Sequence, residues 1–292
     1  MNTKSTSWQR AIKELCARFD IPLQHLAATL ADPKVVPMIR GKAFEFSALD
    51  ALRQVLPDSD WKVEKPILNA QSEIKDIDLK VTHINTHTII RVECKLAANK
   101  GFGTRNGIST LKVKCMRSRT LGESKVKTMA PRLGVSEEQL AADADSYRVA
   151  DFDVVLTTFG NAFYRTNKAG EYEWNPDLKE LEFLSQIHPE HPDHKIGAFE
   201  QLYVAKSSDL CVGNLNFPID CPRKKCQQKT DCGFIPNYPA IVFKAESTVP
   251  INAWVPLNQS RLLFESFITQ PRPLEVKTVL AEQLEEEAES NS

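Results

Sequence analysis

Residues Glu73–Leu96, EIKDIDLKVTHINTHTIIRVECKL, decide how the rest of the chain is read. Ile77, Leu79 and Val81 alternate with Asp76, Asp78 and Lys80, and Ile90, Val92, Cys94 and Leu96 alternate with Arg91, Glu93 and Lys95. That is the period-two pattern of strands with one apolar face. A fold-back about Asn85-Thr86 sets Leu79 opposite Val92, Val81 opposite Ile90 and Asp78 opposite Glu93. The polar face of the hairpin then holds two carboxylates and, two residues beyond Glu93, the ammonium of Lys95.

Carboxylates facing each other across a sheet repel, and a cation between them removes the repulsion. Oxygen ligands alone suit a hard divalent ion such as magnesium, which also accepts phosphate oxygens. Lys95 is placed to orient or deprotonate a metal-bound water, or to stabilise charge developing on a phosphate. A solvated amphipathic hairpin can carry the same D-x14-E-x-K spacing, so a second signal is needed. Glu45 supplies it. Turned through 100° per residue, Phe44, Ala48, Leu49, Leu52, Val55 and Leu56 form one apolar helical stripe, and Glu45 falls inside it. A buried carboxylate is costly unless it is paired or bound to metal.

These residues resemble the PD-(D/E)xK nuclease superfamily, whose restriction-endonuclease-like fold orders a G-x-x-F-E helix, a strand ending in an aspartate and a strand with E-x-K. Glu45, Asp78, Glu93 and Lys95 follow that order over residues 40–160. No proline precedes the aspartate, and in Lys-Asp-Ile-Asp the nearby Asp76 competes with Asp78; the flanking Ile77 and Leu79 favour Asp78. The resemblance implies an α/β fold with a mixed sheet flanked by helices. It also implies a magnesium-dependent DNA endonuclease, with Asp78 and Glu93 on the metal, Glu45 in support and Lys95 activating water. A chain of this length suits a type II restriction enzyme acting as a two-fold dimer. A repair or mobile-element nuclease of the same fold, and a non-catalytic nucleic-acid-binding protein, are the alternatives.

The chain of 292 residues has a net charge of −1, which gives no general attraction for nucleic acid. The charge is unevenly spread. Between Lys95 and Arg132 there are ten basic residues and one acidic residue, Glu123, the footprint expected of a phosphodiester substrate. We expect a helical segment over 1–40, the nuclease core over 41–165, an accessory DNA-recognition region over 166–280 and an acidic tail over 281–292. The helices of the first segment are expected to pack onto the core. Asn99–Gly107 reads as a glycine-bearing loop, a helix is expected from Ser136 to about Val149, and Phe152–Phe159 reads as a buried strand. His188, His191 and His194 sit in a proline-broken stretch that reads as an exposed loop.

No N-terminal apolar run has the length of a signal peptide or membrane span, which leads us to expect a cytoplasmic protein with no membrane partner. In that compartment cysteines serve as thiols or metal ligands rather than disulfides. Four of the seven, Cys211, Cys221, Cys226 and Cys232, cluster in a loop-like stretch. Zinc, an iron-sulfur cluster and unliganded thiols all remain open, because the spacing matches no common zinc or iron-sulfur motif. The cluster option rests on the nuclease resemblance alone.

Overall fold

The structure is a computed structural model describing residues 7–66, 77–117, 122–133, 136–142, 145–223, 226 and 228–269. Asp76 and the acidic tail therefore lie outside the described residues. Apolar residues at helical spacing form α1 (Ser7–Arg18), α2 (Leu26–Ala31) and α3 (Val36–Val55). Contrary to expectation, α1 does not pack its apolar stripe onto the core. Trp8, Leu15 and Phe19 are exposed, and Cys16 is the one residue of α1 that is buried. Pro37 sits in the first turn of α3, where a missing N–H is harmless, so this helix runs through residue 40.

Next come β1 (Trp61–Glu64), β2 (Leu79–His83) and β3 (Ile89–Cys94). The β2–β3 register is the expected one, Leu79 opposite Val92 and Val81 opposite Ile90. The stretch after it differs from expectation. Asn99–Gly107 is not a loop but most of a hairpin formed by β4 (Ala97–Arg105) and β5 (Ile108–Val113). Asn106 (φ 52) and Gly107 (φ 70) supply the two left-handed residues that a tight hairpin turn of matching twist requires.

The helix expected from Ser136 is also shorter. After α4 (Glu123–Leu133) comes α5 (Glu137–Ala142), and the chain is already extended at β6 (Tyr147–Arg148) before the fully buried β7 (Val154–Thr158). The remainder comprises β8 (Tyr164–Thr166), β9 (Tyr172–Trp174), α6 (Leu178–Ile187), α7 (His194–Glu200), β10 (Leu202–Lys206) and α8 (Ser207–Leu210). It ends with β11 (Phe234–Ile235), β12 (Ala240–Lys244), β13 (Val255–Pro256) and α9 (Arg261–Thr269). An Asp177–Glu180 capping box starts α6.

The central sheet is mixed, in the order β1-β2-β3-β7-β10-β13, with β3 and β7 parallel and every other pair antiparallel. Its strands come from both sides of residue 165. Alternation along β7 and β10 divides the core in two. Val154, Leu156 and Val204 face α3 and α9 with Leu79, Val81, Ile90 and Val92. Val155, Tyr203 and Ala205 face α6 and the second sheet, β12-β5-β4. Burial on both faces explains why β7 reads as a continuous apolar run. No helix among the described residues is long and apolar enough to cross a membrane.

Candidate active site

The end of β3 and the start of β2 meet where the polar face of the hairpin runs out of ladder. The amide N–H of Cys94 donates to Asp78 Oδ2 at 2.9 Å, which holds the Asp78 carboxylate against the Glu93-Cys94-Lys95 segment. Burial, and then the carboxylates of Glu93 and Glu45, push Asp78 up to about 7 from an ordinary 3.8. Three acidic side chains from α3, β3 and the residue preceding β2 thus act on one another.

Each neighbour of Asp78 is anchored differently. Glu93 is 6% exposed, and its Oε1 takes an ion pair from Lys95 Nζ at 2.6 Å and a hydrogen bond from the Tyr147 hydroxyl at 2.8 Å. Lys95 Nζ also donates to the Tyr147 oxygen at 3.0 Å, closing a triangle of three polar groups. Burial works against the charge on Lys95, but Glu93 and Tyr147 outweigh it and hold the ammonium protonated above the usual lysine range. Burial and Glu93 likewise keep the Tyr147 phenol protonated. Lys95 is therefore a fixed positive charge, which suits stabilisation of a phosphate better than abstraction of a proton.

Glu45 is 5% exposed on the buried stripe of α3, as its position in the helix requires. Its cost is met by two lysines. Lys42 Nζ lies 2.7 Å from Oε1, and Lys65, just after β1, pairs with Oε2. Burial raises its affinity for a proton, yet the two cations together hold its carboxyl below the usual range. A negative Glu45 thus persists beside Asp78, with its oxygens already engaged by ammonium groups.

Tyr147 and Lys65 were not foreseen. A lone tyrosine before an expected buried strand carries no periodic signal, and β6 reaches the site by pairing with β11, Ile235 opposite Tyr147. Asp153 was missed too: its Oδ2 accepts from the Arg91 amide at 2.8 Å and from Arg91 Nε at 3.0 Å, satisfying the remaining charge on this face of β3. Replacing Tyr147 with Phe should leave the fold intact but lower stability by about 1 kcal/mol, the net worth of a buried hydrogen bond. Urea unfolding checks this, and an unchanged midpoint would show that the bridge contributes nothing.

The basic tract divides in two. Lys95 is half-buried in the site and Arg117 is bound to Asp151, whereas Lys100, Arg105 and Lys112 are exposed along the β4–β5 hairpin and Lys114 just past its end. The Lys114 amide donates to the Leu96 carbonyl at 3.1 Å, so this basic face begins one residue beyond Lys95. Arg119 lies outside the described residues.

Two further clusters stand apart from the carboxylates. His188, His191 and His194 are not simply exposed: they gather at the α6–α7 connection, where burial and then the two neighbouring rings lower the basicity of His188. Of the four clustered cysteines, Cys221, Cys226 and Cys232 converge, with sulfurs within 4.8 Å of one another and all three side chains buried. Cys211 is not in that group; its thiol, half-buried, donates to the Ser208 carbonyl at 3.2 Å. Comparison with protein-family models, with curated proteins and with solved structures returned no match.

Proposed function

We propose that this chain is a magnesium-dependent deoxyribonuclease of the PD-(D/E)xK type, acting as a restriction endonuclease. The observation that carries the reading is the placement of the Asp78 carboxylate against the Glu93-Cys94-Lys95 segment by the Cys94 amide. The residues fit a hard divalent cation. Asp78 is half-buried beside two other carboxylates, and its charge is opposed until a cation or a proton offsets it.

In this reading Asp78 and Glu93 would hold the ion, which when bound would polarise a phosphoryl oxygen and lower the pKa of a water. Lys95, kept protonated and steered by Tyr147, places its ammonium beside the phosphate and offsets the charge that develops there. Glu45 adds negative potential that favours a cation at Asp78. The exposed lysines of the β4–β5 hairpin offer the phosphate backbone a basic approach to the site. Cutting both strands of a duplex would suit a two-fold dimer.

The test is incubation of purified protein with plasmid and phage DNA. Magnesium should produce discrete fragments, and chelation should abolish them. Intact DNA that is bound equally with and without magnesium would overturn the nuclease reading. Degradation from ends, with no discrete fragments, would replace the restriction role with a repair-type one.

A further inference from the structure

We infer that Cys221, Cys226 and Cys232 form a structural zinc site that staples the segment between α8 and β11, a site separate from the candidate active site. From residue 211 to residue 233 the described residues include no helix and no strand. A connection of that length without regular structure needs something to hold it. This one nevertheless turns inward and buries three thiols among Val126, Ala130, Leu140, Val212 and Phe234.

The backbone already brings the ligands together. The Cys221 amide donates to the Lys229 carbonyl at 2.7 Å, which closes the loop at its base, and the Cys226 amide donates to the Arg223 carbonyl at 3.2 Å, which turns the loop back on itself. Val212 then bonds to both residues that follow Cys232, accepting from the Gly233 amide at 3.1 Å and donating to the Phe234 carbonyl at 3.0 Å. Sulfurs placed tetrahedrally around zinc at about 2.3 Å stand roughly 3.8 Å apart, which falls inside the 4.8 Å that bounds the present separations.

The donor set selects the metal. Three soft thiolates favour zinc over the hard cation suited to the carboxylates. A disulfide could use only two of the three sulfurs and would leave the third buried alone. On binding, each thiol would release its proton to solvent; no fourth Cys, His, Asp or Glu joins the three among the described residues, which would leave the fourth position to water or to a ligand from elsewhere. Lys229, whose ammonium donates to the carbonyls of Cys221 and Arg223, sets a positive charge against the loop that would carry the excess negative charge.

The site has a structural consequence. Phe234, two residues after Cys232, pairs with Arg148 in the β6–β11 ribbon, and Arg223 binds Asp145 and Ser146 immediately before Tyr147. The zinc loop therefore anchors the strand that carries Tyr147. Its effect on catalysis rests on the nuclease reading, but its existence does not.

Metal analysis of the full-length protein reconstituted with zinc chloride should give about one zinc per chain, and Cys221→Ser and Cys232→Ser should each lose most of it while Cys211→Ser keeps it. Cobalt(II) added to the reduced, metal-free wild-type chain should give an intense near-ultraviolet thiolate-to-cobalt band that zinc displaces, a readout independent of whether the variants fold. Removing zinc should lower the unfolding temperature by roughly 5 °C or more. A wild-type protein with no stoichiometric zinc, no cobalt–thiolate band, or zinc loss on Cys211→Ser would overturn the three-thiolate site. Loss of DNA cleavage alone, with zinc and the cobalt band retained, would bear on the active site and not on this one.

Discussion

At about pH 8 and without divalent metal, Asp78→Asn is expected to be more stable than the wild-type chain by ~2 kcal/mol, within the ~4 kcal/mol that the full displacement of its pKa represents. The folded pKa, about 7, lies above the ordinary 3.8, so the folded chain keeps its proton where the unfolded chain has lost it. Across that interval the unfolded state binds fewer protons, and stability falls as pH rises; above about 7 the loss is complete. Asparagine removes the charge and keeps an oxygen for the Cys94 amide. Magnesium should reverse the order, stabilising the wild type more at about pH 8 than at about pH 6 and leaving Asp78→Asn nearly unaffected. Thermal melts at the two pH values, with and without magnesium, check both halves. A wild-type melting temperature independent of pH over this range would show that Asp78 is not under the repulsion described above.

If the proposed nuclease reading holds, Lys95→Ala is expected to lower DNA cleavage by about 1,000-fold or more, because it removes the cation assigned there to the phosphate. It should also destabilise the fold by ~3 kcal/mol, since Glu93 would remain buried with, among the described residues, only the Tyr147 hydroxyl to offset its charge. The two effects separate on substitution with arginine. Lys95→Arg keeps a cation for Glu93 and should recover much of the stability, but the larger guanidinium cannot occupy the same position and cleavage should stay low. Plasmid cleavage and urea unfolding of both variants provide the measurements. Full cleavage by Lys95→Ala would remove this residue from the chemistry.

How much of this was legible in advance depends on the range of each interaction. Alternation on either side of Asn85-Thr86 was enough to set Leu79 against Val92 and to bring Asp78 to the end of β3, because a slip of one residue would turn the apolar face of both strands to the wrong side. The 100° stripe around Phe44 likewise placed Glu45 inside, and the apolar run at Val154–Thr158 announced a strand covered on both faces. Asn106-Gly107 was present in the sequence as a hairpin turn, but the glycines on its N-terminal side drew it into a loop.

What only the tertiary structure decided is which distant groups neutralise the buried charges. Tyr147 reaches Glu93 because β6 is drawn beside β11, and Lys65 reaches Glu45 because β1 delivers it past the face of α3. Cys211 separates from the other three thiols because its own hydrogen bond to Ser208 keeps it with the end of α8. Periodicity records which side of an element is buried, since every residue of the element votes for it. It does not record the partner of a single buried charge, which is fixed by one contact between elements that the local pattern never joins.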